Sequence, residues 1–385
     1  MRRVEINIPY KERYTKMKHN KLIRAFALLL ALLCVAVMMT ACKPSEPDTP
    51  DAPVTPDTPE KPDAPEEQGL HVALDLTEEW DKVSPVGSLV QGCLVIRKEF
   101  AEQHPAEVAA FLAEYKASVE FLLANVEEAA KMVAAQGIFA KAPVAQKAIP
   151  NCNVTYLDGT EMKTAMSEFL NVMMAAAPAS IGNAIPADDF YYTAPTTDAA
   201  PDAAPDAETP VRVKVLSGTT GFGMAQLMQK HADGEASLNY TFGVEAEASN
   251  ITAALIKGEI DIAALPTNAA ATLYNKTNGK VQLLAINTRG VLYLLDNGNG
   301  IESFADLKGK TVYVPAQNPT FIFQYLCEQN GLSVGTDGDV DVIISNKYAA
   351  PAELQQNVAA GTVTLAVLPE PMVTIALTAA AQAQK

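Results

Sequence analysis

The chain is poor in the side chains that most often build catalytic and metal sites. Its 385 residues include 4 histidines and 5 cysteines. Past the N-terminal segment, His71, His104 and His231 stand singly, with no triad or metal spacing among them. Cys93, Cys152 and Cys327 are odd in number and scattered through apolar patterns, which predicts buried free thiols rather than a disulfide framework. No catalytic set, no metal site and no cofactor is expected. Basic residues are also few, 29 against 45 acidic ones. Eight of the basic and two of the acidic residues fall within the first 41, so the rest carries a net charge of about −22. That argues against nucleic acid and against a broadly anionic surface as partner. Beyond residue 41 no stretch is long and apolar enough to span a bilayer.

What is present begins with an address. A basic segment containing Arg2, Arg3, Lys11, Arg13, Lys16, Lys18, Lys21 and Arg24 precedes the uncharged run Ala25–Met39. This is the layout of a secretory signal over residues 1–41, with Met17 as an alternative start. The run ends Met39-Thr40-Ala41-Cys42, which resembles the lipobox of bacterial lipoproteins and implies cleavage before Cys42 and acylation of its thiol. An uncleaved signal anchor is the other reading. Residues 42–68 place prolines at 44, 47, 50, 53, 56, 59, 62 and 65. A period of three lines them along one edge of a polyproline II rod, reaching on the order of 80 Å at ~3.1 Å per residue. Asp and Glu between them keep the rod solvated. Lipid and rod together predict a tether that holds a domain off a membrane face.

The first folded block runs from Gly69 to Tyr192. Strands are expected at His71–Leu76 and Leu89–Ile96, with a turn at Ser84–Ser88. Pro105 opens a helix whose apolar stripe is Val108, Phe111, Leu112, Tyr115, Val119, Leu122 and Leu123. Asn125 suits the cap of a second helix, and Glu161–Met174 is amphipathic. The block has too few strands to cover its helices and needs a partner layer. Residues 193–210 repeat the Pro/Asp/Ala/Thr chemistry of the tether and read as an extended linker.

Beyond the linker, strands alternate with helices. Val211–Leu216, Leu238–Val244, Ile260–Leu265, Val281–Asn287 and Val291–Leu295 are expected strands. After Asn297-Gly298-Asn299-Gly300 a second unit follows, with strands at Thr311–Val314, Val340–Ile344 and Val363–Leu368 and a last helix at Met372–Gln384. This alternation predicts α/β lobes with largely parallel sheets.

Several phrases in this order resemble a known family: VRVKVLSGTTGFGM, ALIKGEIDIAALPTNAA, LLAINTRGVLYLL, IESFADLKGKTVYVP and LAVLPEPMVTIAL. They are similar to substrate-binding lipoproteins of ABC importers, of the nitrate/sulfonate/taurine and thiamine-precursor type. The resemblance implies a two-lobe periplasmic-binding-protein type II fold with a hinge and an interlobe cleft. It covers nearly all of Val211–Lys385. Residues 69–192, with HVALDL, SLVQGCLVIRKEF and HPAEVAAFLAEYKASVEFLLANVEEAA, resemble the family's C-terminal third, yet here they come first. The expectation is a circularly permuted chain. Residues 69–83 and 301–385 would form lobe II, 84–192 and 211–300 lobe I, and 193–210 would join the family's usual ends. Two separate domains on a string are the competing arrangement.

The resemblance implies no enzyme. It implies a lipid-anchored receptor on the extracytoplasmic face of the cell membrane that hands a small polar or anionic molecule to an ABC permease and ATPase. A monomer is expected, with a swapped dimer as the other possibility. A pyrimidine-precursor-synthase-like enzyme and a tethered sensor without transport are the competing functions. Hinge segments are expected within Leu284–Leu295 and Ser88–Ile96. Ligands of such sheets bind at the carboxyl ends of the strands. That places Ser217, Thr219, Thr220, Thr267, Asn268, Asn287 and Thr288 on lobe I, with Ser84 and Ser88 on the return strand. Gln317, Asn318, Thr320 and Glu370 come from lobe II. Serines and threonines at helix starts are also ordinary caps, and Glu370 between two prolines can brace its loop. Phe222, Tyr313 and Phe321 could stack on a ring or pack the core. Arg289 is the cation expected near this set and Glu370 its single acid.

Overall fold

The computed structural model describes residues 69–84, 89–194 and 204–383. Cys42, Ser88, the signal, the tether and the centre of the linker lie outside them. Twelve strands occur among the described residues: β1 (His71–Asp75), β2 (Val90–Arg97), β3 (Val154–Leu157), β4 (Pro210–Leu216), β5 (Asn239–Glu245), β6 (Ile262–Pro266), β7 (Val281–Arg289), β8 (Leu292–Asp296), β9 (Lys310–Tyr313), β10 (Val334–Gly335), β11 (Val342–Ser345) and β12 (Leu365–Pro369). They form two six-stranded sheets. One has the order β3-β7-β2-β6-β4-β5 and is lobe I; the other has the order β1-β8-β12-β9-β11-β10 and is lobe II.

The two sheets share one plan. In lobe I, β4 lies between its parallel neighbours β5 and β6, and β2 runs antiparallel between β6 and β7. In lobe II, β9 lies between its parallel neighbours β11 and β12, and β8 runs antiparallel between β12 and β1. Each antiparallel strand is the one the chain lays down on arriving from the other lobe. β7 of lobe I leads through Gly290 and Val291 to β8 of lobe II, and β1 of lobe II leads back to β2 of lobe I. The outward crossing therefore falls inside the expected segment, at its Gly290–Val291 step.

Strand character follows burial. In β4 the alternation Val211, Val213, Val215 puts three valines in the core, while Arg212 and Lys214 stay partly exposed. β2 is buried from Gly92 to Ile96, because helices cover both faces of its sheet. The predicted helix after Pro105 spans Pro105–Ala124 and buries Val108, Phe111, Tyr115, Val119 and Leu122. Those side chains pack with Val211, Val213, Val215 and Leu227 in one cluster. The first block thus finds its partner layer in the second, and the arrangement of two independent domains on a string does not occur.

Four local expectations differ from the structure. β8, expected in lobe I, pairs with β1 and β12 in lobe II. Two apolar stretches, Leu283–Ile286 and Val291–Leu295, flank Asn287-Thr288-Arg289-Gly290, and neither composition says which sheet it joins. Residues 76–83, expected to begin in strand, form a helix instead. The Asp75 carboxylate caps it by accepting from the Thr77 N–H at 2.8 Å. β3 was not expected; it is four residues long, sits at an edge and pairs with β7 in broken register. Asn125 gives no side-chain cap and donates instead to the Phe121 carbonyl at 3.2 Å.

Helix Leu76–Val83 matters beyond its length. It carries Trp80, the one tryptophan of the chain, at 1% exposure. The indole packs 6.1 Å from the ring of Phe169 and 4.8 Å from that of Tyr325. Phe169 belongs to helix Gly159–Ala176 of lobe I and Tyr325 to helix Asn318–Gln329 of lobe II. An aromatic seam therefore ties the lobes together away from the strands.

Candidate functional site

The carboxyl ends of the parallel strands in each lobe turn into helices, and these turns hold most of the expected residues. After β4 the chain passes Ser217 and Gly218. Gly218 has φ +96°, a backbone conformation that suits glycine. Its N–H donates to the Ile138 carbonyl at 3.1 Å, and Thr219–Phe222 make a single helical turn. Ser217 is exposed, and Thr219 and Thr220 are half-buried. Phe222 is fully buried in the core.

Asn287 and Thr288, both 1% exposed, hold that turn against the hinge strand. The Asn287 amide donates to the Thr220 carbonyl at 3.0 Å, and the Thr288 hydroxyl donates to the Asn287 side-chain oxygen at 3.1 Å. Both cross over Gly92 of β2. A Cβ there would lie 2.5 Å from Asn287 Oδ1 and 2.8 Å from Thr288 Oγ1, so this crossing requires glycine. The buried Tyr115 hydroxyl faces Asn287 from the helix below without a completed hydrogen bond. Burial pushes its pKa up. The side chains of Asn287 and Thr288 are thus buried and hydrogen-bonded beneath the turn.

Thr267 is also committed internally. It is fully buried, and its hydroxyl donates to the Val90 carbonyl at 2.9 Å, fixing the end of β6 to the start of β2. Its neighbour Asn268 faces outward instead. The structure brings Asn268 of lobe I together with Gln317 of lobe II in one cavity of about 620 Å³. Ser180, Ser249, Thr252, Thr272, Lys276 and Phe321 help to line it. Helices Ala248–Lys257 and Thr267–Thr277 run along its wall, and helix Asn318–Gln329 begins at its lobe II edge. Helix N-termini carry partial positive charge.

On the lobe II side, Gln317 has φ +68° and is exposed at the N-cap of helix Asn318–Gln329. A left-handed non-glycine residue stores local strain and marks a position the surroundings impose. Asn318 Oδ1 is buried and has no hydrogen-bond partner. Thr320 donates to the Pro315 carbonyl at 2.8 Å and accepts from the Asn346 amide at 2.8 Å, which staples this turn to the end of β11. Tyr313 stacks on Tyr348 at 5.8 Å.

Glu370, read from the sequence as a ligand contact or a brace, is bonded within its own loop and helix. It is 3% exposed and accepts from the Thr374 N–H at 3.1 Å and the Thr374 hydroxyl at 2.9 Å, capping the last helix. Burial raises its pKa above the usual carboxylate range, against the opposing hydrogen bonds from Thr374 and Asn151. The expectation that Arg289 is the sole nearby cation is also corrected, because Lys276 lines the cavity. Lys276 lies nine residues beyond the β6 turn, so only the packing of two helices reveals it. Ser249 and Thr252, outside the expected set, line the cavity from helix Ala248–Lys257. Ser84 is buried at the end of helix Leu76–Val83, its N–H bonded to the Trp80 carbonyl.

Residues 235–366 match the NMT1/THI5-like family model. Together with two sheets of one strand order that exchange their antiparallel strands, this decides the fold. It is the type II periplasmic-binding-protein fold. Residues 64–173 match a second model, menaquinone biosynthesis. Among solved structures, the chain is similar to an ABC transporter from Parabacteroides distasonis, with 25% identity over 45% of this chain and 56% of that one and a TM-score of 0.32. It is also similar to the alkanesulfonate-binding protein SsuA from Xanthomonas axonopodis pv. citri bound to MOPS, with 16% identity over 44% of this chain, 56% of that one and a TM-score of 0.27. The match spans little more than half the length of either solved chain. No curated protein matches. The turns after β4, β6 and β9 carry hydroxyls and amides with few charges.

Proposed function

We propose that this chain is an extracytoplasmic solute-binding lipoprotein of an ABC importer. In this reading Cys42 carries the lipid and residues 42–68 hold the folded unit off the membrane. The ligand is a small polar or anionic molecule, taken up between the lobes and delivered to a permease driven by an ATPase. The lobes are built from a permuted chain, residues 193–210 joining what are elsewhere the C- and N-termini. The observation that carries the proposal is the exchange of β2 and β8 between sheets, which makes a hinge and a cleft from the same two crossings.

The contacts we assign to the ligand are Ser217, Thr219 and Asn268 from lobe I and Gln317 and Asn318 from lobe II. Thr220, Thr267, Asn287, Thr288, Thr320 and Glu370 hold these in place. Lys276 and the adjoining helix N-termini support partial or full negative charge on the ligand. No helix among the described residues is long and apolar enough to cross a membrane, so the lipid supplies the attachment in this reading.

A thermal-shift screen of the full chain against nitrate, sulfonates, amino acids, polyamines and thiamine precursors tests it. A ligand present at about 100 times its Kd adds ~2.7 kcal/mol to the folded state and raises Tm. Silence across the panel would contradict a receptor for this class. The match of residues 64–173 to a menaquinone-biosynthesis model favours a second reading, a catalyst on the same fold. Mass spectrometry of the bound molecule after incubation separates the two, because a receptor returns its ligand unchanged.

A further inference from the structure

The cavity that brings Asn268 and Gln317 together is a groove with two unlike ends. Its lobe I wall is made by two helices. Helix Thr267–Thr277 contributes Asn268, Ala269, Thr272, Leu273 and Lys276. Helix Ala248–Lys257 contributes Ser249, Thr252 and Ile256. Side chains three and four residues apart share a helical face, so each set forms one continuous strip. Lys276 stands eight residues past Asn268, which is about 12 Å along the helix at ~1.5 Å per residue.

The end beside lobe II presents the side-chain amides of Asn268 and Gln317, with no charged side chain lining it there. The middle is apolar and is formed by Ala269, Leu273, Ile256 and Phe321. Ile256 is 62% exposed, the most open large hydrophobic side chain among the described residues. The far end carries Lys276. Ile256 and Lys276 also line an adjoining cavity of about 760 Å³, together with Lys98, Lys257, Lys280 and the acids Glu99 and Glu102. Lys98 pairs with Asp189 at 2.8 Å and Lys257 with Glu259 at 3.6 Å, which leaves Lys276 and Lys280 outside these ion pairs. A chain with 45 acidic and 29 basic residues thus gathers cations at one end of the groove and keeps the other end neutral.

We infer that the groove takes an elongated, bifunctional molecule. A neutral hydrogen-bonding head lies between Asn268 and Gln317, an apolar body covers Leu273, Ile256 and Phe321, and an anionic terminus reaches Lys276. Each side-chain amide offers both donors and an acceptor, which suits an amide or hydroxyl head. The cavity of about 620 Å³ falls within the ~300–1,000 Å³ of small-molecule sites. A compact anion would occupy one end and leave Ile256 in water. The ammonium of Lys276 acts as a point charge and sets no bidentate geometry, so length and the unlike ends define the class.

This subsite presupposes the receptor reading, but the two fail differently. The probes are ω-acetamidoalkanoates, an amide head and a carboxylate joined by a methylene chain, with the matching neutral ω-acetamidoalkanols as controls. Isothermal titration of the full chain at low salt gives Kd for each. Affinity is expected to rise about fourfold for each methylene buried, and to stop rising once the carboxylate reaches Lys276. Lys276→Gln should weaken the longer carboxylates by up to about fivefold and leave the alkanols unchanged. Ile256→Ser should flatten the rise with length and spare the shortest member. Both side chains are exposed, so neither change threatens the fold. Affinity independent of length, or carboxylates and alkanols weakened alike by Lys276→Gln, would overturn the subsite. Binding of a compact anion from the thermal-shift panel with no binding of the acetamidoalkanoates would overturn the subsite and leave the receptor standing. Silence from the panel and the probes together would overturn both.

Discussion

Arg97 Nη2 lies 2.8 Å from Asp261 Oδ1, across 164 residues of sequence. The same carboxylate takes the Arg212 Nη2 at 2.7 Å, the Arg212 Nε at 2.8 Å and the Arg212 backbone N–H at 3.1 Å. Arg97 ends β2, Arg212 lies on β4, and Asp261 immediately precedes β6 between them. A carboxylate with no exposed surface therefore joins the first folded block to the second.

This clamp sets the first prediction. Burial opposes ionisation of Asp261, but the hydrogen bonds from Arg212 and Arg97 outweigh it and hold the carboxyl below its usual pKa. A depressed folded-state pKa contributes stability above the unfolded value, and that stability is lost as pH falls through the folded one. Asp261→Asn is expected to cost about 3 kcal/mol at neutral pH, the low end for breaking a buried pair, because both guanidinium groups reach solvent. Urea unfolding at neutral pH and below about pH 4 checks it. The two proteins should converge in the acid.

Gly92 gives the second. A methyl group there meets Asn287 and Thr288, whose hydrogen bonds set the Thr219–Phe222 turn. Overpacking of this kind costs about 1–3 kcal/mol. Gly92→Ala should lower Tm and weaken the binding of any ligand found by the thermal-shift screen, both together. A lower Tm with unchanged affinity would mean that the turn does not touch the ligand.

The architecture was legible where side-chain periodicity is strong. β4 alternates, helix Pro105–Ala124 carries its stripe, and both are where the sequence places them. β8 falls in the sheet opposite to the expected one because two buried apolar strands joined by a short crossing look alike in composition, whichever sheet each enters. The site was legible only in part. Turn residues announce themselves, and two of the expected positions, Asn268 and Gln317, share a cavity. Which hydroxyls are free depends on tertiary partners. Thr267 bonds Val90, 177 residues away, and nothing within its own segment signals that.

The cysteines give the third prediction. Cys93, Cys152 and Cys327 are free and buried. Burial pushes all three thiols up in pKa, Cys327 to about 12. The thiolate is the reactive form. A water-soluble disulfide reagent should leave the peptides containing these residues unlabelled in the native protein and label all three in urea. Fast native labelling of Cys93 would contradict its place in the centre of the lobe I sheet.

The central claim is that residues 69–194 and 204–383 complete one another's sheets. The most direct measurement is cleavage at a protease site inserted between residues 195 and 203 of the full chain, followed by gel filtration and thermal unfolding. The account predicts that the two pieces elute together and melt in one transition, parting only in denaturant. Two pieces that separate without denaturant, each with its own cooperative melt, would contradict it.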